Sequence, residues 1–303
     1  MQILIQKLSF KLPDYLLACL QLMRPANIVT AWADILAGYT VSGAVFAHST
    51  FLVWLLLATT GLYGGGVVFN DVCDAQLDKI ERPERPIPSD RISITTVTLL
   101  GCLLLGMGVL AAAQVSRLSL ILALSIAVLA LIYDRFSKHH SLLGPLNMGL
   151  CRGCNLLLGV SAVPLLFSQR WYLALIPIIY IAAVTTISRG EVAGGKSKTG
   201  AIALVLFGIV LISLLALSWT PNYTFLAVLP FWVLLAIRVF PAWYKATINP
   251  QPDIIRHAVK IGVISLILLD ATLGSGFTNV LLGLLILSLL PISFALARLF
   301  SVT

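Results

Sequence analysis

A chain of 303 residues that is 59% hydrophobic and 11% charged, with mean hydropathy +1.00, carries too little charge for a soluble domain and is read as a membrane protein. Its formal charge of +8 does not indicate nucleic acid, because the basic residues lie in short breaks between apolar runs rather than along an amphipathic face. Pro13 and Asp14 interrupt the first apolar region, which argues against a signal peptide.

Runs long enough to cross the hydrocarbon core as helices, about 20 residues, fall near 26–47, 50–68, 92–114, 117–133, 143–167, 171–187, 200–219, 223–240, 258–275 and 277–299. Only G-S-G separates the last two, so the expected fold is an all-α polytopic membrane bundle of nine or ten helices. Residues 1–22 are expected to form a cytoplasmic or interfacial segment, and 23–303 a single transmembrane domain. Sixteen of the 20 basic residues lie in the N-terminal segment and in the connections after spans two, four, six and eight, including Lys7, Lys11, Lys79, Arg135, Lys245 and Arg256. The positive-inside rule makes that side cytoplasmic. Ten of the 12 acids share it, although the rule does not call for acids. Their clustering points to chemistry at the cytoplasmic face.

In chain order, "MRPANIVTAWADILAG" (23–38) places Arg24 and Asn27 at the mouth of span one and Asp34 inside it. "GLYGGGVVF" (61–69) is dense enough in glycine for close helix approach or for a narrow tunnel. Then comes "NDVCDAQLDKIERPERPIPSD" (70–90). If the helix of span two continues past Phe69, Asp71 and Asp78 align within about 20°, with Asp74 about 60° away and Asn70 beyond it. Three carboxylates and an amide oxygen on one stripe repel one another unless a cation sits among them. Oxygen-only ligands select a hard ion, Mg²⁺ or Ca²⁺. Arg82 and Arg85 follow directly and supply the other half of a diphosphate clamp. Pro83, Pro86 and Pro88 are expected to hold that loop extended, and Glu81 and Glu84 to pair with the adjacent arginines.

Further along, Tyr133 and Lys138 edge the connection after span four, Lys138 as a diphosphate contact and Tyr133 as cavity wall or as a ring facing an allylic cation. His139 and His140 are assigned topological charge. Arg152 and Asn155, one turn apart in span five, either reach the diphosphate or acceptor or pair with Asp34 or Asp270 inside the bundle. Cys151 and Cys154 form a C-x-x-C with no second pair to complete a zinc site and are read as packing residues. A Mg²⁺-diphosphate site opening into a helical bundle suits a lipid diphosphate, with its head at the interface and its tail between helices.

The stretch from Asn70 resembles the first signature of the UbiA superfamily of intramembrane prenyltransferases, N-D-x-x-D-x-x-x-D followed by R-P-x-R-P-[IL]-P. "RPAN" (24–27) and "IYDRFSKHHSLLGPLNMGLCRGCNLLLG" (132–159) resemble two further family elements in the expected order. The resemblance implies a nine-helix bundle whose cytoplasmic-side site binds an isoprenyl diphosphate through Mg²⁺, with Asn70, Asp71, Asp74 and Asp78 as ligands. It also implies a second aspartate-rich motif after span six. Here "ISRGEVAGGKSKTGA" (187–201) holds only Glu191. Either one metal suffices, or Glu191 with Arg189 and Lys196 holds the diphosphate. A third option is that a prenyl lipid is bound without being transferred. "RPERPIPSD" with "RPAN" is most similar to the branch that prenylates glycerophosphate lipids, whereas "SRGEV" resembles a divergent, EboC-like group, so the acceptor stays open. The alternatives to a prenyltransferase are a non-catalytic prenyl-lipid binding subunit and a lipid or anion transporter.

Overall fold

The computed structural model describes residues 13–46, 49–138 and 140–300. Lys7, Lys11 and His139 lie outside the described residues. The elements are α1 Asp14–Met23, α2 Pro25–Val41, α3 Ser49–Cys73, α4 Ala75–Glu81, α5 Ile94–Ala113, α6 Arg117–Ile132 and α7 Leu143–Val160. They continue as α8 Leu175–Ser188, α9 Ser197–Ala216, α10 Phe225–Ile248, α11 Pro252–Ile264, α12 Leu266–Phe277, α13 Val280–Leu287 and α14 Leu289–Leu299. No strand occurs among the described residues.

Among the described residues, eight helical stretches are long and apolar enough to cross a membrane: α3, α5, α6, α8 with the short turns before it, α9, α10, α11 with α12, and α13 with α14. Their outer faces carry apolar side chains such as Leu103, Leu110, Val205, Ile212, Leu226 and Ile237, as hydrocarbon contact requires. The α11–α12 stretch is different, with 83% of its most apolar window buried inside the bundle. It packs with α2, whose residues from Ala26 to Val41 are nearly all buried, so these helices form the centre.

Local signals set the helix boundaries. The hydroxyls of Ser93 and Ser116 accept the backbone N–H groups of Thr96 and Ser119, and the Asn279 amide oxygen accepts that of Leu282, capping α5, α6 and α13. Glycines then let particular helices touch backbone to backbone. A Cβ on Gly38 would lie 2.1 Å from the Leu156 carbonyl oxygen, joining α2 to α7. One on Gly61 would lie 2.4 Å from that of Leu104, joining α3 to α5. Five residues on, Gly66 lines a cavity.

The join between α1 and α2 is a single residue, Arg24, in the left-handed conformation (φ +49°). Pro25 follows at the first helical position, where its fixed φ and missing N–H fit. A non-glycine residue at positive φ is uncommon, and here it turns the guanidinium toward the end of α3.

Candidate active site

The cavity of about 370 Å³ between α2, α3, α6, α7, α8 and α11 is charged at one end and apolar at the other. At the charged end, α3 runs to Cys73, hesitates at Asp74 and resumes as α4, with the i to i−4 bonds from Asp74 N–H to Asn70 and from Asp78 N–H to Asp74 intact. Helical phase is therefore kept, and the spacing has its expected effect for two of the three aspartates. Asp71 and Asp78 meet on one guanidinium: Arg85 Nη1 donates to Asp71 Oδ1 (3.1 Å) and to Asp78 Oδ2 (2.8 Å). Arg24 Nη2 also donates to Asp71 Oδ1, at 2.9 Å. Asp74, rotated away, pairs instead with the Lys138 ammonium.

The loop carrying Arg85 is not extended as its prolines suggest. It folds into successive turns, with Arg85 N–H donating to Arg82 O and Ser89 N–H to Arg85 O, and with Asp90 at φ +56°. Extended geometry would carry Arg85 outward, whereas the turns fold it back over α3 and α4.

Beyond Ile132, α6 widens into a π-turn over Tyr133–Ser137. Such turns re-aim side chains, often at functional sites, and this one brings Tyr133, Asp134 and Lys138 into the cavity. Asn70 Nδ2 donates to Asp134 Oδ1 at 2.8 Å, and Lys138 Nζ approaches Asn70 Oδ1 at 3.4 Å. A cationic nitrogen thus sits against the oxygens of Asn70 and Asp74, with Asp134 beside them. The second Asp134 oxygen is buried without a partner. This hard-oxygen donor set suits Mg²⁺, which takes one or two protein carboxylates and completes its shell with water and phosphate. Asp71 and Asp78, also expected as ligands, are held by arginine in this structure. Among the described residues no three acids, histidines or cysteines converge closely enough to form a complete protein cage for a metal.

Arg82 faces the same space. Burial pushes its guanidinium below its ordinary range, and the like charges of Arg85 and Arg24 add to that. Crowded guanidinium groups of this kind form an anion site. Across from Arg82, Glu191 Oε2 is 4.0 Å from Arg82 Nη2, and Glu191 Oε1 is buried without a partner. Burial raises the Glu191 carboxyl to about 7 against its ordinary 4.5, and nearby Arg82 and Arg24 only partly offset this. The folded state therefore holds a proton that the unfolded chain releases between about pH 4.5 and 7, so this group's contribution to stability falls as pH rises through that window. Thermal melts of wild type and Glu191→Gln from pH 4.5 to 7.5 should diverge in that sense, the variant lacking the wild type's loss of stability toward neutral pH.

The inner part is mainly apolar, with Leu62, Val67, Ile126, Ala130, Val184 and Leu266 among its walls, Tyr63 beside them, and Arg152 and Asn155 as polar residues set into it.

Residues 31–247 match the sequence profile of the UbiA prenyltransferase family. The chain belongs to that family. A digeranylgeranylglyceryl phosphate synthase of Metallosphaera sedula is 31% identical over 185 residues, covering 61% of this chain and 64% of the relative. The match thus spans just under two thirds of that relative's length. A synthase of the same name from Methanothrix thermoacetophila is 32% identical, covering 66% and 78%. Among solved structures, a UbiA homolog from Aeropyrum pernix K1 shares the fold, with a TM-score of 0.69 over 81% of this chain and 96% of that one at 15% identity.

Of the residues singled out in this UbiA chain from sequence, Arg24, Asn27, Asn70, Asp74, Asp78, Arg82, Arg85, Tyr133, Lys138, Arg152, Asn155 and Glu191 all line the cavity. Asp71 stands behind it, joined through Arg24 and Arg85. Arg189 and Lys196 are not brought in. Arg189 Nη2 donates to the His140 carbonyl at 2.6 Å, and Lys196 is the residue preceding α9. His140 has a local role, its Nδ1 accepting the N–H groups of Leu142 and Leu143 at the start of α7. Asp134 and Tyr63 line the cavity without having been placed in the site from sequence. The adjacency of Asp134 to Tyr133, and Tyr63's position as the aromatic amid five residues of mostly glycine, were the available signals. The five cysteines are free, and Cys151 packs on the cavity wall.

Proposed function

We propose that the protein transfers a prenyl group from an isoprenyl diphosphate to a lipid acceptor, with Mg²⁺ as cofactor. The observation that carries this reading is a single cavity with arginines, lysine and hard oxygens at one end and a hydrocarbon-lined interior at the other. Arg24, Arg82 and Arg85 bind the diphosphate, with Lys138 moving from Asp74 to a phosphate oxygen. Asn70, Asp74 and Asp134 would hold Mg²⁺, which would supply neutralising charge for the departing diphosphate. Leu62, Val67 and Ile126 take the tail and exclude water from the allylic carbon, and Tyr133 and Tyr63 present ring faces to its developing charge. The allylic C–O bond breaks with its electron pair leaving on diphosphate. The acceptor nucleophile bonds to that carbon and releases a proton.

The finer topology belongs to the same reading. With α2 and α7 counted as spans there are ten crossings, residues 23–303 act as one domain, and the charged end faces the cytoplasm by the positive-inside bias. The names of the two synthases support a prenylated glyceryl phosphate as product, and the R-P-x-N and R-P-x-R-P-I-P elements agree with that. We place Glu191 at the diphosphate end beside Arg82, where guanidinium groups stand in for the carboxylates of a second metal motif.

The test is diphosphate release from geranylgeranyl and farnesyl diphosphate by purified protein, with and without Mg²⁺ and a prenylated glyceryl phosphate. Release should require both, and EDTA should abolish it reversibly. Saturable binding of the diphosphate with no release under any acceptor would make the protein a non-catalytic prenyl-lipid binding subunit. Vectorial uptake into liposomes would make it a transporter.

A further inference from the structure

Behind the inner end of the cavity lies a polar cluster to which prenyl transfer assigns no part. Asp34 is ten residues along α2 from Arg24, about 15 Å into the bundle at 1.5 Å per residue. Asp34 and Asp270, the latter on α12, are both fully buried. The Asp34 Oδ2 atom lies 2.6 Å from Arg152 Nε, off the line of that N–H, and accepts from Asn155 Nδ2 at 2.8 Å. Arg152 Nη2 donates to Thr30 Oγ1 (2.8 Å), and Thr59 Oγ1 donates to Asn155 Oδ1 (2.7 Å). The Arg152 guanidinium also stands 5.5 Å over the Tyr63 ring. Asp270 is buried beside Asp34 where α12 packs on α2. Yet Asp34 Oδ1 and both Asp270 oxygens have no N–H or O–H donor.

The charge does not close. Among the described residues Arg152 is the one basic side chain paired with either acid, so two ionised carboxylates would leave a net negative charge deep in the membrane. Three acceptor oxygens would also be buried without donors, a large desolvation cost. One proton removes the net charge and satisfies two of the three oxygens, leaving a neutral Asp270 carbonyl oxygen where a carboxylate oxygen would otherwise stand. Asp34, held by Arg152 and Asn155, is the carboxylate, and Asp270 is the acid whose O–H bonds to it.

We propose that Asp34 and Asp270 are a carboxylate–carboxylic acid pair holding one proton in the membrane interior, and that the pair positions Arg152 and Asn155 at the inner end of the cavity. Arg152 and Asn155 line the cavity, whereas neither aspartate does. The aspartates are therefore positioning residues. The second half of the proposal rests on the prenyl-transfer reading, and the first does not.

The test begins with infrared spectra of the purified protein in lipid nanodiscs at pH 9, above the range in which Glu191 keeps a proton, and these need no turnover. A carboxylic-acid C=O band should be present, shift in D₂O, shift again on labelling aspartate with ¹³C at the side-chain carboxyl, and be lost in Asp270→Asn. The labelled wild type keeps the test decisive if that variant does not fold. Absence of the band, or its appearance only when Na⁺ is withdrawn, would overturn the proton assignment, the latter in favour of a bound metal ion. In turnover of geranylgeranyl diphosphate, Asp34→Asn should raise KM by about tenfold or more with a smaller change in kcat, because Arg152 loses its anion. Asp270→Asn, whose amide N–H substitutes for the acid O–H, should raise KM less than about threefold. Equal loss in both variants with the fold intact would overturn the positioning role.

Discussion

Asp74→Asn lowers Mg²⁺-dependent diphosphate release by about 10²-fold or more, and the loss falls on kcat/KM. The reason lies in what Asp74 does in two states. In the structure it holds the Lys138 ammonium, next to the amide oxygen of Asn70. That ammonium marks where a cation is favoured, and under the proposed function an incoming diphosphate would give Lys138 a better partner and free Asp74 for Mg²⁺. An asparagine keeps the shape and one neutral oxygen but loses the charge that both states need. The fold tolerates the change, because Asp74 is an ion-pair partner at a cavity mouth and the helix-continuing bonds through it are backbone ones. Initial rates across a Mg²⁺ titration check this: the half-saturating Mg²⁺ concentration rises along with the loss of rate, and the melting temperature stays near wild type. A lost rate at unchanged Mg²⁺ dependence would place the metal elsewhere.

Arg85→Ala has the second large effect, and it strikes stability as well as binding. Arg85 bridges Asp71 and Asp78, which are 5% and 4% exposed. Removing one partner of a buried pair leaves an uncompensated charge, a loss of about 3–5 kcal/mol in buried sites. Asp71 keeps Arg24, so the cost falls mainly on Asp78. Adding Asp78→Asn to Arg85→Ala removes the stranded charge and should recover much of the lost thermal stability. It should not recover affinity for the diphosphate, which loses a guanidinium either way. Melting curves and KM for geranylgeranyl diphosphate, measured on both variants, separate the two roles. Restored KM in the double variant would mean that Arg85 only props up α4.

Both predictions concern residues the sequence marks clearly, and the reason is local. Asp71 and Asp78 are seven apart on a helix, so periodicity alone puts them on one face, but it places Asp74 on the same stripe about 60° away, and only the structure turns that residue to Lys138. Membrane class, span positions and the end of the bundle that collects charge follow equally from composition and run length, because hydrocarbon forbids unpaired backbone and dispersed charge. The family signature likewise lies in one contiguous stretch. What the tertiary structure decided is pairing across helices. Arg85 folds back because the proline loop forms turns, Lys138 meets Asp74 because α6 ends in a π-turn, and Arg189 is diverted to the His140 carbonyl by how α7 begins. Arg152 and Asn155 were left between cavity and core. They occupy both, since α7 sits against α2 at Gly38 with its polar face toward Asp34 and the cavity at once. Helix period fixes a side chain's depth and direction on its own helix. The rotation and approach of the neighbouring helix, set by packing along the whole interface, decide what it meets.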